Sequence, residues 1–204
     1  MKEELKTKDY KSYLEHQKEK TTDPIRIKKW LNEEWDIKLN GFMEIFKKYI
    51  DLFDKNGKCV GLGARTGQEI AALRDLGFND SIGVDLVPFE PYTIEADFHD
   101  LPFEDTSVSM VYSNTIDHVK NPILWSSEIK RILVEGGFVL MHLQIGLEQD
   151  EYSVFDVHNP RKQLIKPFFK NFRIIKNSKI NTNVHGMNWE ILLKKKKPFF
   201  HLFK

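Results

Sequence analysis

A chain of 204 residues, 41% of them apolar, is long enough for one domain with a core of its own, or one domain with an extension. Thirty-one basic against thirty acidic residues leave a net charge of +1, so no global field draws the chain to nucleic acid or to an anionic membrane. A single cysteine, Cys59, excludes an internal disulfide, and no apolar run approaches the ~20 residues that a membrane-spanning helix needs.

The N-terminus, Met1 to Lys6, is charged and lacks the apolar core of a signal peptide, so the expectation is a cytoplasmic protein. Residues 1–20, mostly Lys, Glu, Asp, Tyr and Gln, read as either a solvated helix or a frayed tail. Residues 24–54 read as helix in two pieces. Asp23-Pro24 is a helix start with Pro in the first turn, and Gly41 separates the Ile27–Trp35 piece from the apolar face Phe42, Ile45, Phe46, Tyr49, Ile50 and Phe53. From there strands and helices alternate. Strand 58–62 leads to helix 67–76, closed by Gly77; strands 81–85, 92–95 and 108–113 follow, then helix 121–133. Gly136-Gly137 turns into strand 138–143, a helical stretch lies near 159–168, and strands 171–176 and 188–194 end the series. The pattern predicts an α/β fold, a doubly wound, mostly parallel sheet covered on both faces. Residues 1–55 form the expected helical extension or lid, 56–197 the main domain and 198–204 a tail.

The most informative stretch is Lys58 to Ile70, in which an apolar run ends in glycines and becomes helical. Such a strand–turn–helix lets a ligand approach the backbone, and the helix end offers unpaired N–H groups. Asp85 ends the next apolar run, where an acid can take both hydroxyls of a ribose. Together they imply a cofactor of the adenosine type.

These residues, with those that follow, resemble the class I S-adenosylmethionine-dependent methyltransferases, in particular their ubiE-like, type 11 branch. The resemblance covers about residues 57–145 and implies a Rossmann-like sheet of seven strands. Gly63-Ala64-Arg65-Thr66-Gly67 is similar to the family's glycine-rich turn. Asp85, with Leu86 beside it, falls at the ribose-binding acid. Asp97-Phe98, within Glu95–Phe103, is similar to the segment that meets adenine, and Met110–Asn114 resembles the fourth strand with Asn114 at its tip. Glu128–Gly137 is similar to the helix and turn before the fifth strand. Two positions depart from the family pattern: Gly61 stands where an acid helps to orient the cofactor's amino-acid part, and Arg65 replaces the middle glycine of the turn.

The resemblance implies S-adenosyl-L-methionine as cofactor, S-adenosyl-L-homocysteine as product and in-line methyl transfer to a small-molecule acceptor. His118 and Asp117, just past the fourth strand, are the candidate bases, and His142 reads as a satisfied strand-end residue. No metal spacing is present. Trp30, Trp35, Phe42, Tyr152 and Phe155 are available to wall the acceptor side or to pack the extension onto the sheet. The Lys- and Phe-rich C-terminus, 194–204, reads as a solvated strand end and apolar tail, or as a segment that touches anionic membrane or RNA. Three other readings remain open: a cofactor-binding partner without turnover; a nicotinamide-dependent oxidoreductase, for which the glycine spacing is wrong at residue 66; and an RNA-modifying enzyme, favoured only by the basic C-terminus and opposed by the net charge of +1.

Overall fold

A computed structural model describes residues 9–147, 151–182, 184 and 186–197; the tail 198–204 lies outside the described residues. Helices α1 (Tyr10–Thr22), α2 (Pro24–Lys28) and α3 (Trp35–Lys47) precede the sheet, with a π-helical turn, Lys29–Glu33, between the last two. Then come β1 (Cys59–Leu62), α4 (Gln68–Asp75), β2 (Ser81–Asp85), β3 (Thr93–Glu95), β4 (Val108–Ser113), α5 (Pro122–Ile132) and β5 (Leu133–Leu143). A second π-helical turn, Arg161–Ile165, runs into α6 (Lys166–Phe168), followed by β6 (Phe172–Lys179) and β7 (Trp189–Lys195).

The seven strands lie in the order β3-β2-β1-β4-β5-β7-β6, and β7 pairs antiparallel with both of its neighbours. The other neighbouring pairs are parallel. Strand order reverses between β1 and β4, and in such sheets the crevice beyond the carboxyl ends at that point takes the ligand. Alternation of side chains builds two cores. Val60, Leu62, Val111, Val139 and Ile191 face Trp125, Ile129 and Phe169. On the other face, Cys59, Met110, Tyr112 and Leu140 meet Phe42, Phe46, Ile70 and Leu73. Central strands buried on both faces explain why β1 and β4 read as nearly continuous apolar runs. Cys59 is fully buried and its thiol is pushed up to about 12 by that burial, so it is packing material.

Helix starts follow side-chain chemistry. Asp23 caps α2 by accepting from the Ile25 amide, with Pro24 in the first turn as expected. Asp9 caps α1 through the Ser12 amide at 2.9 Å, which resolves residues 10–22 as helix rather than frayed tail. Asn121 caps α5 through the Ile123 and Leu124 amides.

Two expectations change. Gly41 does not divide the second helical region; the break is the π-helical turn before Trp35, and Gly41 lies buried inside α3. A glycine costs a helix interior about 1 kcal/mol, a deficit outweighed by burial of Phe42, Ile45 and Phe46 on the same helix. Gly136-Gly137 lies within β5, which starts at Leu133 and carries a register shift opposite Val108–Met110. At Gly137 a side chain would meet the Ser109 and Val134 carbonyls at 2.9 Å. Among the described residues no helix is long and apolar enough to cross a membrane, and no three His, Cys, Asp or Glu side chains gather to hold a metal.

Candidate functional site

The carboxyl ends of β1, β2, β3, β4 and β5 form one rim, and two adjoining cavities open along it. The first lies under α1 and is lined by Tyr13, Gln17, Gly63, Asp85, Leu86, Asp97, Phe98 and His99, among others. The second, of about 340 Å³, lies over β4 and β5 and is lined by Lys20, Lys38, Ala64, Thr66, Glu69, Asn114, Asp117, His142 and Gln144, among others. Gly63, Arg65, Thr115, His118 and Lys20 line both, so an elongated molecule can pass from one to the other.

The turn after β1 is shaped by sterics. Gly63 has φ of 69°, and a Cβ there would lie 2.6 Å from Thr115 Oγ1, whose hydroxyl donates to the Leu62 carbonyl at 3.0 Å. Arg65, at φ 47°, adopts the left-handed conformation that a glycine would take more easily, and its guanidinium stacks 4.2 Å from the Trp30 ring centre. Thr66 donates to Gln68 Oε1 at 2.8 Å, and Gln68 Nε2 donates to the Trp30 carbonyl at 3.2 Å. Gly67 is the expected turn residue that lines neither cavity. Its φ is 81° and a Cβ there would lie 2.2 Å from Tyr92 Cβ, so it serves the turn and close packing.

Asp85 sits at the tip of β2. Its Oδ2 accepts the Arg65 amide at 2.8 Å and its Oδ1 the Val87 amide at 3.2 Å. Each carboxylate oxygen can take two bonds, so one place stays open on each, which suits a pair of neighbouring hydroxyls. Burial outweighs these amides and raises its carboxyl above the usual value. Further hydroxyl donors would offset that cost.

Asp97, past β3, is held by more of the protein. Its Oδ1 accepts the His99 amide at 2.9 Å and His99 Nδ1 at 2.8 Å, and its Oδ2 accepts the Tyr10 hydroxyl. The Asn121 amide donates to His99 Nε2 at 3.1 Å, so the imidazole proton sits on Nδ1, facing Asp97. Burial opposes charge on Asp97, but bonds from His99 and Tyr10 outweigh it and hold the carboxyl below its usual value. One lone-pair site on Oδ2 remains for an exocyclic amine.

Helix α1 closes the first cavity from above. Besides Tyr10 on Asp97, Tyr13 donates to the His118 carbonyl and Gln17 Nε2 to the Tyr152 carbonyl at 2.8 Å. His118 Nδ1 lies 3.2 Å from the same Tyr152 carbonyl, which can only accept, so that nitrogen carries the proton. Nε2 then faces Lys20 Nζ at 3.4 Å and Asp117 Oδ2 at 3.6 Å. Asp117 Oδ2 also accepts the Ser153 hydroxyl at 2.8 Å.

His142 is fully buried and satisfied at both nitrogens, by the Tyr112 hydroxyl at 3.2 Å and Glu190 Oε2 at 3.0 Å. Glu190 Oε1 accepts the Tyr49 hydroxyl at 2.5 Å. Burial lowers the imidazole's value below the usual histidine range, so His142 is neutral near pH 7.

Of the aromatics expected to wall the acceptor side, Phe42 lines the second cavity. Trp30 carries Arg65, Trp35 packs on Tyr92, and Tyr152 stacks on His16 at 4.5 Å. Sequence reasoning missed Glu69, Tyr10, Tyr13, His99 and Thr115. For Glu69 the available signal was its place in the first helical turn after the glycines.

The segment 60–141 matches a family model described as a methyltransferase domain. A SAM-dependent methyltransferase from Aquifex aeolicus superposes with a TM-score of 0.63 at 13% identity, over 84% of this chain and 98% of that one. The 1,6-didemethyltoxoflavin-N1-methyltransferase of Burkholderia thailandensis, solved with its substrate and S-adenosylhomocysteine, gives 0.66 at 13% identity, over 92% and 89%. A SAM-dependent methyltransferase from Archaeoglobus fulgidus gives 0.58 at 15%, over 75% and 92%. No curated protein matches the chain. Residues 60–141 thus match a methyltransferase domain, and the chain has the fold of S-adenosylmethionine-dependent methyltransferases, whose cofactor is S-adenosylmethionine.

Proposed function

We propose that this methyltransferase acts on a small polar molecule bound in the 340 Å³ cavity over β4 and β5. The observation that carries the reading is the continuity of the two cavities through Gly63, Arg65 and Thr115. A cavity of this size suits a small ligand. Its wall of Lys20, Lys38, Asp117, His118 and Gln144 favours a polar acceptor.

The residues fit the cofactor. Asp85 has two open acceptor positions for ribose hydroxyls, Asp97 has one for the adenine amine, and Leu86 and Phe98 line the same cavity. Gly63, Ala64, Arg65 and Thr66 border the amino-acid part, and Asn114 faces the second cavity. The bound cofactor supplies an electrophilic methyl on a sulfonium. The protein's part is to hold the acceptor atom in line with it at roughly 3–3.5 Å and to exclude water. His118, fixed in one tautomer by the Tyr152 carbonyl, offers Nε2 as the base for an acceptor that must lose a proton, once that acceptor displaces the Lys20 ammonium now donating to it at 3.4 Å. Asp117 keeps that ring charged once it has taken the proton. The helices before β1 act as a lid, with α1 over the adenosine half.

The test is a methyl-transfer screen with labelled cofactor against small carboxylates, phenols and amines, with His118→Gln in parallel. Label should enter at least one small polar acceptor, and His118→Gln should lower kcat more than it changes KM. Binding of cofactor with no transfer to any acceptor would favour a partner protein without turnover.

A further inference from the structure

We propose that Glu69, in the first turn of α4, binds the ammonium of the cofactor's amino-acid part, a role that Gly61 cannot fill from β1. The inference rests on the cofactor reading above and adds a residue to it.

Glu69 is 4% exposed and lines the second cavity beside Thr66 and Gln68. Those two neighbours are hydrogen-bonded to side chain or backbone, whereas the Glu69 carboxylate is met by its own amide and, at longer range, by the charges of Arg65 and Lys38. The nearest cations are engaged elsewhere: Lys38 Nζ lies 2.6 Å from Glu34 Oε2, and Arg65 stacks on Trp30. Burial pushes the Glu69 carboxyl up to about 7. A carboxylate removed from water without a partner is costly, and a buried one facing a cavity calls for a cation.

Gly61 shows how the acid comes to be there. A Cβ on Gly61 would lie 2.9 Å from Ile70 Cδ1 and 3.7 Å from Glu69 Cγ. The Ile70 side chain therefore occupies the space that a side chain on β1 would need, and Glu69 lies in ordinary contact beside the bare strand position. The nearest carboxylate at this point of the rim comes from the helix. It stands beside the Gly63–Thr66 wall, at the end of the continuous cavity remote from Asp97. An elongated adenosyl ligand with its base at Asp97 brings its amino-acid end to this wall.

Calorimetric titration of the full chain with two probes tests the assignment. S-adenosylhomocysteine carries the ammonium and lacks the sulfonium; methylthioadenosine carries neither. Glu69→Gln should weaken S-adenosylhomocysteine binding by at least about tenfold, the loss of a charge-assisted hydrogen bond, and leave methylthioadenosine within about twofold. An equal fall for both probes would mean that Glu69 only shapes the rim, and would overturn the proposal. So would an unchanged affinity for S-adenosylhomocysteine, with the cofactor reading left standing. A wild-type protein that binds neither probe would overturn that reading as well.

Discussion

Two buried carboxylates lie on the same face of the sheet in opposite conditions. Glu190, on β7, accepts from Tyr49 and from His142, and those bonds outweigh burial and hold its carboxyl below the usual value. Glu69, on α4, has no such partners, and burial pushes it up to about 7. Both are almost without solvent exposure. The difference is that the fold completes Glu190 itself, whereas Glu69 faces a cavity. A buried acid that its own protein satisfies belongs to the structure; one that burial pushes up beside open space is a candidate to meet a ligand.

The comparison breaks first at Glu190. Glu190→Ala leaves Tyr49 and the neutral His142 with unmet bonds, and should cost about 3 kcal/mol in urea denaturation at pH 7. The folded-state value of Glu190 is depressed, so its contribution is present above pH 4.5 and lost as pH falls through the folded value. The gap between wild type and variant should narrow below pH 4.5. A loss under about 1 kcal/mol at pH 7 would show that the network is incidental.

Glu69 should behave with the opposite sign. Its folded value of about 7 lies above the ordinary 4.5, so the cost of ionising it in the fold grows as pH rises from 4.5 to about 7 and then levels off. Glu69→Gln should therefore stabilise the ligand-free protein by about 2–3 kcal/mol at pH 8 and hardly at all at pH 4, read as thermal melts. Equal melting points at both pH values would mean that the carboxylate has a partner after all.

Asp85 stands between the two, with two amides bound and two acceptor positions open. Asp85→Ala should weaken S-adenosylhomocysteine binding by roughly 1–3 kcal/mol. An unchanged affinity in calorimetry would remove Asp85 from the site. The smallest effect is expected at Arg65→Gly. Relief of the positive φ offsets the lost stacking on Trp30, each about 1 kcal/mol, so stability and cofactor affinity should barely change. A large loss of affinity would show that the guanidinium meets the cofactor's carboxylate.

The parts of this molecule legible in its sequence are those with local causes. Glycines at φ 69° and 81°, a Pro24 start and an acid at a strand tip are decided within a few residues. So the strand series, the turn and the place of Asp85 at a strand tip could be read directly. The helix break was misplaced because Gly41 is a weak breaker that burial of α3 overrides. Closure of the first cavity depends on Tyr10 meeting Asp97, separated by 87 positions, and no local pattern announces such a contact. Glu69 was hidden for the same reason: its isolation is a property of what surrounds it in space. Its sequence cue, a bare Gly61 eight residues earlier, gains meaning only when α4 is seen to fill the gap.

The most direct test of the central claim is isothermal titration of the wild-type chain with S-adenosylhomocysteine, with NADH as the comparison ligand. The account predicts micromolar binding of S-adenosylhomocysteine alone, weakened by Asp85→Ala. Binding of NADH instead, or of neither, would contradict the assignment of the continuous cavity to an adenosyl-methionine cofactor.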